Sequence, residues 1–519
     1  MKKVVVAVWM LLAVCSAKAQ SKVFKQVGDE ISSTMKVITQ DDALVGYLVF
    51  TKLEKVNEDS FNYKISIMDE NLNDIGTVNF KEENLALEAV SFEQDVLCLA
   101  YLKSSIMGEV MKSNRMYKKE AADAKNAVVV QFLGLDGKQI KLNEIPADVK
   151  TNVELSGRKW QGTAALNEYI QLKNIPQHGF ACFYGDKTGN KLVTYNLSGE
   201  PVWKKNIFDA QGFVMLTSGS NIFLLSKQKN DMAEGGYQVN GYGFSDSVTY
   251  DKCLLQDKQG NQLKVLSFAN DPATGNPVIT GNVIDPDNGN KLAVIRNITK
   301  SPYRGVYTIA LNGPKKSDWK QTFTYWNDGS LSPSISEYGK YADNNAYCMF
   351  GGSFRDFDGN TYFVGTPVIK KIKWGTIASS VICSPLIFVS PMILGIGGTQ
   401  KFKLEDAMLL KQNAKGGLSF DNTIPCNSTG YTQGRTPMGF IYSKSYYNIT
   451  NATNKSNFLI VDDAKDMVIY NVTNKKVIRT VPHQSGQIAT NMFPAKEGYV
   501  MVQEYNKREK YMKLSIEAL

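Results

Sequence analysis

Two histidines are all the imidazole this chain has for chemistry. His178 sits in "PQHGF" and His483 in "VPHQSG", and both settings are turn-like. Hydrolases that hold zinc through several imidazoles are therefore excluded. One histidine could serve a nucleophilic triad, but the sequence has no Gly-x-Ser-x-Gly elbow and no Gly-x-x-x-x-Gly-Lys-Ser/Thr phosphate loop. Both histidines read as surface turns. Carboxylates are the other source of acid–base chemistry. A glycosidase needs only two of them, and these can lie far apart in sequence. No pair is singled out here, and no Ser-x-Asp-x-Gly-x-Thr-Trp repeat occurs. "DFDGN" (Asp356, Asp358, Asn360) and "DPDNGN" (Asp285, Asp287, Asn288, Asn290) resemble pieces of calcium loops. Neither continues to a bidentate Glu at loop spacing. Asp-Gly and Asn-Gly are ordinary turn pairs, and a turn accounts for the same residues. No metal or other cofactor is expected.

Cysteine offers little more. Apart from Cys15 in the leader, the chain holds Cys98, Cys182, Cys253, Cys348, Cys383 and Cys426, with no Cys-x-x-Cys spacing for a zinc ribbon or redox site. Cys98, Cys182 and Cys348 fall at similar places in apolar strands, where a small, weakly polar side chain packs well. They read as free, buried thiols that do not meet one another.

With so little chemistry, the elements carry the argument. The chain is built of short strands that recur as a unit. "NYKISIMDENLNDIGTVNF" at 62–80 is a strand, a polar turn and a second strand. Counterparts begin at Ala127, Lys191, Asp251, Val306, Asp406 and Asp466. Asp136-Gly137, Ser198-Gly199 and Gly260-Asn261 supply turn residues that tolerate positive φ. Upstream of most hairpins lies a strand apolar on both faces: "GYLVF", "VLCLAYL", "FACFYG", "IFLLS", "KLAVI", "AYCMFGG", "FLIV" and "GYVMV". Such strands are buried on both sides. Most hairpins are about 60 residues apart, the period of a repeat architecture. Four-stranded sheets set radially make a β-propeller, in which each sheet buries both faces against its neighbours. The fold class expected is all-β, a propeller of seven or eight four-stranded blades. The eighth would join the C-terminal "GYVMVQEYNKREKYMKLSIEAL" to "KVFKQV" at 22–27, so that the two termini latch the ring.

Residues 1–19 read as a signal peptide. Lys2 and Lys3 precede an apolar run, and Ala17-Lys18-Ala19 is a small-x-small cleavage site. The propeller then occupies 20–519, in the periplasm, at the outer-membrane surface or outside the cell. Losing Lys2, Lys3 and Lys18 takes the net charge of +9 to about +6, mildly basic for this length. "KSNRMYKK" at 112–119 reads as a solvated loop, and nucleic acid is not an expected partner.

One interval breaks the period. Roughly 40 extra residues separate the hairpins at Val306 and Asp406, far more than a typical loop. This insertion, set at 355–404 between two strands of one blade, contains "GTIASSVICSPLIFVSPMILGIGG". Pro385 and Pro391 divide the run into pieces too short to span a bilayer. Lys370, Lys371, Lys373 and Trp374 precede it, and Lys401 and Lys403 follow. Three readings stand: a lid folded on the ring, a surface for another protein, or a hairpin dipping into a membrane surface. The expected contact residues are Trp374, Ile377, Val381, Ile382, Leu386, Ile387, Phe388, Met392, Ile393 and Leu394.

The segments "AQSKVFKQVGDEIS", "DDALVGYLVFTKLEKVNEDSFNYKISIMDENLNDIGTVNF" and "SFEQDVLCLAYLK" resemble an uncharacterised family of exported proteins from Bacteroidota, most clearly over the first 135 residues. The resemblance implies an envelope location and a propeller-like fold. It implies no activity. The function expected is a non-enzymatic binding or scaffolding propeller that meets an envelope protein or membrane surface through the apolar insertion. The alternative is an exported hydrolase using carboxylates at the propeller mouth on glycans or peptides.

Overall fold

Strands with alternating or continuous apolar residues pair here into eight antiparallel sheets. The computed structural model describes residues 20–519 except 26–31, 112–118, 120–123, 148–152, 161–169, 229–234, 287–302, 329–334, 373–399, 427–429 and 433–444, and stretches of one to three residues elsewhere. Blades 1 to 7 occupy residues 32–83, 85–146, 170–207, 210–254, 263–325, 347–424 and 445–482 in chain order. Blade 8 takes three strands from the C-terminus, Ile488–Pro494, Tyr499–Asn506 and Tyr511–Ala518, and its fourth from the N-terminus, Gln20–Lys25. Gln20 stands opposite Ile516 and Lys25 opposite Tyr511. The protein is an eight-bladed β-propeller latched by its two ends. The signal peptide expected at 1–19 lies outside the described residues.

Each seam between neighbouring blades has its own core, because second and third strands are apolar on both faces and must be covered twice. Phe50, Tyr63 and Ile65 of blade 1 meet Leu97, Leu99 and Tyr101 of blade 2. Phe223 and Val239 of blade 4 meet Ile279 and Tyr307 of blade 5. The last seam closes the circle: Met501, Met512, Leu514 and Ile516 of blade 8 pack on Tyr47, Val49 and Met68 of blade 1, with Phe24 of the latch strand against them. Fourth strands face solvent on one side, as in Asp74–Glu83, where exposed and half-buried residues alternate. Buried polar groups also join blades. Between blades 5 and 6, the Thr308 hydroxyl donates to Gln412 Oε1 at 2.7 Å, and Gln412 Nε2 donates to Thr324 Oγ1 at 2.7 Å.

Three expectations about strands change. The pair beginning at Asp251 is not a hairpin within a blade. Thr249–Leu254 ends blade 4 and Leu263–Asn270 opens blade 5, so the Gly260-Asn261 turn joins two blades. The doubly buried strand of blade 5 is Pro277–Ile284, every residue of which is buried, while "KLAVI" lies outside the described residues. In blade 6, "AYCMFGG" falls in the innermost strand, Tyr347–Arg355, and the second strand is Thr361–Ile372. Arg355 and Thr361–Val368 therefore belong to the blade, and the added chain begins beyond Val368 rather than at 355.

The described cysteines are free and buried as expected, but two of them are not apart. Cys98, Cys182, Cys253 and Cys426 are free and buried. Cys98 and Cys182 share the core between blades 2 and 3. A one-residue difference in register turns both toward the same seam, since a strand's side chains alternate faces. Burial, and then the nearby Cys182, push the Cys98 thiol well above its usual range; burial pushes Cys182 up to about 12. Both stay protonated at neutral pH and act as core.

Candidate binding face

The order of strands gives the ring two unlike faces. In an antiparallel blade, turns between first and second strands and between third and fourth strands lie at one end. Connections between second and third strands, and from blade to blade, lie at the other. On the first face every turn is two to seven residues long. On the second face six connections are long: 105–125, 147–169, 285–302, 326–346, 373–406 and 425–444. They start and end on blades 2–3 and blades 5–7, and the connections of blades 1, 4 and 8, which separate these two groups, are eight residues or fewer.

Both groups contain strands that sequence reading missed. Val153–Leu155 pairs with Arg158–Trp160 and, in parallel, with Val110–Met111. On blade 6, Val368–Ile372 pairs with Gln400–Leu404, which also pairs with Gly430–Thr432. These strands are two to five residues long, too short for periodicity to reveal. The ten expected contact residues, Trp374, Ile377, Val381, Ile382, Leu386, Ile387, Phe388, Met392, Ile393 and Leu394, lie outside the described residues. The described strands Thr361–Ile372 and Gln400–Leu404 enter and leave that segment on the long-connection face.

The short-turn face is occupied by its own structure. Asp356 Oδ1 accepts the N–H groups of Asp358 at 3.0 Å and Asn360 at 2.8 Å, and Oδ2 accepts the Asn360 amide at 2.8 Å. Asp69 makes the same three bonds with Asn71 and Asn73. "DFDGN" is thus a turn whose carboxylate is held by local donors. Of the second calcium-like fragment, Asp285 pairs with Arg304 at 3.5 Å, and Asp287, Asn288 and Asn290 lie outside the described residues. Among the described residues no group of three or more His, Cys, Asp or Glu is placed to hold a metal. His178 stacks flat on Phe244 with ring centroids 5.0 Å apart.

Two carboxylates do come together, Asp41 in the turn after Ser32–Gln40 and Glu93 at the end of the inner strand Leu85–Glu93. Asn174 Nδ2 donates to Asp41 at 2.8 Å and to buried Glu93 at 2.9 Å, and the Gln177 N–H donates to the other Glu93 oxygen at 3.0 Å. Asp41, Glu93 and Asn174 come from blades 1, 2 and 3, so the trio ties the ring together. Both Glu93 oxygens are engaged by the protein itself. His483 Nε2 lies 2.6 Å from Asp462 and 2.8 Å from the Asp463 carbonyl, which fixes the connection from blade 7 to blade 8.

The same Asp-turn recurs on the long-connection face, and it gives a pH prediction. Asp257 accepts the N–H groups of Gln259 and Asn261, the Asn261 amide and the Tyr325 hydroxyl. Burial alone would raise its pKa, but the Asn261 and Tyr325 bonds outweigh it and hold the carboxyl below its usual value. A depressed folded value stabilises the fold above the ordinary carboxylate pKa, and the contribution is lost as pH falls through the folded value. Asp257→Asn should cost about 1–2 kcal/mol at pH 7 and flatten the loss of stability on acidification. Urea unfolding at neutral and acidic pH measures both; an unchanged pH dependence would contradict this role.

Among solved structures the chain is similar to the Dos1 propeller, at 8% identity and a TM-score of 0.43, covering 95% of this chain and 93% of that one. It is similar to the WD40 domain of SCAP from fission yeast, at 9% identity and a TM-score of 0.38, covering 96% and 98%. Apo AztD from Citrobacter koseri matches at 9% identity and a TM-score of 0.35, covering 91% and 96%. No curated protein matches. Residues 1–419 match a single family profile, and the chain belongs to that family, the family of unknown function DUF6770.

Proposed function

We propose that this protein is an exported, non-enzymatic propeller of the bacterial envelope that binds an envelope component on its long-connection face. One observation carries this reading: turns of two to seven residues on one face, against six connections of eighteen residues or more on the other. The ring needs only short connections, as blades 1, 4 and 8 show. Long loops on a rigid scaffold are where proteins concentrate binding residues. The strands ending at Ile372 and starting at Gln400, which the apolar sequence around Trp374, Leu386 and Met392 joins, reach that face. Export would follow from the leader at 1–19. Gln20, opposite Ile516, starts the latch strand at the short-turn face. Cleavage after Ala19 would leave the opposite face free to approach its target.

Ile372 stands opposite Gln400, so residues 373–399 can be replaced by Asn-Gly, the pair favoured in two-residue hairpins. The replacement should leave unfolding stability within about 1 kcal/mol of the parent, since no blade strand is touched. Cofractionation with native envelopes should fall to background. Unchanged cofractionation, lost instead when the short-turn face is altered, would overturn the reading.

A further inference from the structure

The fourth strand of blade 2 leaves its edge unguarded. Gln139–Pro146 pairs on one side only, with Asn126–Gly134. Free edges are normally protected by charge. Ile140 and Leu142 are instead exposed there, and among the described residues no other strand exposes two large apolar side chains two positions apart. The fourth strand of blade 3 has the ordinary form, in which Val202 is followed by exposed Lys204 and Asn206. Alternation sets which way the blade 2 residues face. Lys141 pairs with Glu200 of blade 3 at 2.9 Å, and Asn143 Nδ2 donates to the Gly199 carbonyl at 2.8 Å. Ile140, Leu142 and Glu144 therefore face blade 1, across a cleft from Val78 and Phe80, which are only partly buried against the seam.

The cleft is closed at the short-turn end, where a Cβ added to Gly137 would lie 3.2 Å from Val78 Cγ2. At the other end Lys103 Nζ lies 3.2 Å from Glu82 and 3.3 Å from both Glu83 and Glu144. One ammonium meets three carboxylates, which leaves two negative charges in excess. The strand edge adds directed hydrogen-bonding groups. The Ala147 N–H donates into the sheet, to the Asn126 carbonyl at 3.1 Å. Backbone direction alternates along a strand, so Leu142 and Glu144 turn N–H and C=O outward. Pro146, which has no N–H to leave unpaired, ends the free edge. Apolar walls, surplus negative charge and an unpaired edge together fit an extended peptide with a basic residue. Anionic phospholipid would be repelled, and a small ligand would leave the edge unpaired.

We propose that this cleft takes an extended peptide of a partner protein as a fifth strand of blade 2, with a basic residue opposite Glu144 and apolar residues opposite Leu142 and Ile140. Main-chain bonds along the edge hold such a strand, and alternate side chains select it. Paired antiparallel, the recognised pattern reads basic-x-apolar-x-apolar. This surface lies on the outer rim and is separate from the long-connection face. A fluorescein-labelled peptide Thr-Arg-Thr-Ile-Thr-Val-Thr should bind the full chain saturably, read by fluorescence anisotropy. Ile140→Thr with Leu142→Thr should weaken binding about tenfold or more, while threonine at these exposed strand positions keeps the fold. Glu144→Gln should weaken it about threefold and remove the peptide's preference for arginine over glutamine at its second position. Val202→Thr with Ile478→Thr, on the outer strands of blades 3 and 7, should leave binding unchanged. A parent protein that does not bind the peptide, or an Ile140/Leu142 variant that binds it equally well, would overturn the proposal. So would a parent that dimerises through this edge, with the dimer lost in that variant and unmoved by the peptide.

Discussion

Removing residues 20–25 is expected to open the ring between blades 8 and 1 and to lower unfolding stability by about 3 kcal/mol or more. These six residues are the whole fourth strand of blade 8. Without them, the Tyr511–Ala518 strand becomes a bare edge that no longer satisfies its outward N–H and C=O groups by pairing. Phe24, partly buried against the core that Met512, Leu514 and Ile516 form with blade 1, leaves it at a cost of about 1 kcal/mol. The ion pair between Lys22 and Asp74, which joins blade 8 to blade 1, goes with it. Denaturant unfolding of the shortened chain measures the loss. A peptide of sequence "QSKVFK" added in trans should restore part of it, because the vacated edge keeps its register. A shortened chain that unfolds at the parent's denaturant midpoint would show that the latch closes nothing.

Gly281→Ala should destabilise by about 3 kcal/mol or more, for a reason local to one seam. Gly281 lies on the second strand of blade 5, opposite the bulge at Val265 and Ser267 of the innermost strand. A Cβ there would sit 1.9 Å from the Lys264 carbonyl oxygen and 3.0 Å from Tyr307 Cε1. Backbone is the obstacle, so the strands must part to admit one methyl group. Gly260→Ala is the control. Gly260 has a φ of +82° but nothing within 4 Å of an added Cβ, so only the left-handed backbone is penalised, at about 1–2 kcal/mol. Equal losses for the two variants would contradict the packing described for blade 5.

Much of this architecture was legible in the sequence, and the failures have physical causes. Doubly buried strands such as "VLCLAYL" and "FACFYG" stand out because both faces must be apolar. The eighth blade was readable from an unpaired C-terminal strand and a loose N-terminal one. The Asp251 pair misled because two antiparallel strands around Gly260-Asn261 look the same within a blade or across two. "PVITGNVI", with Thr280, Gly281 and Asn282 inside, hides a fully buried strand behind polar letters, and "KLAVI" lies outside the described residues. The insertion was set too wide because "TYFVGTPVI" is as apolar as the segment it leads into. No sequence signal could place Lys371 opposite Lys401; only strand register does that. The two faces also emerged only with topology, since loop length in sequence does not say at which end of a blade a loop lies.

The face asymmetry is tested most directly by hydrogen exchange on the full chain, alone and with native envelope extract. Slower exchange is predicted in 105–125, 147–169, 285–302, 326–346, 373–406 and 425–444, with turns 70–73, 135–138, 197–200 and 312–318 unchanged. Protection of those short turns, with the six long connections exchanging as in the free protein, would contradict it.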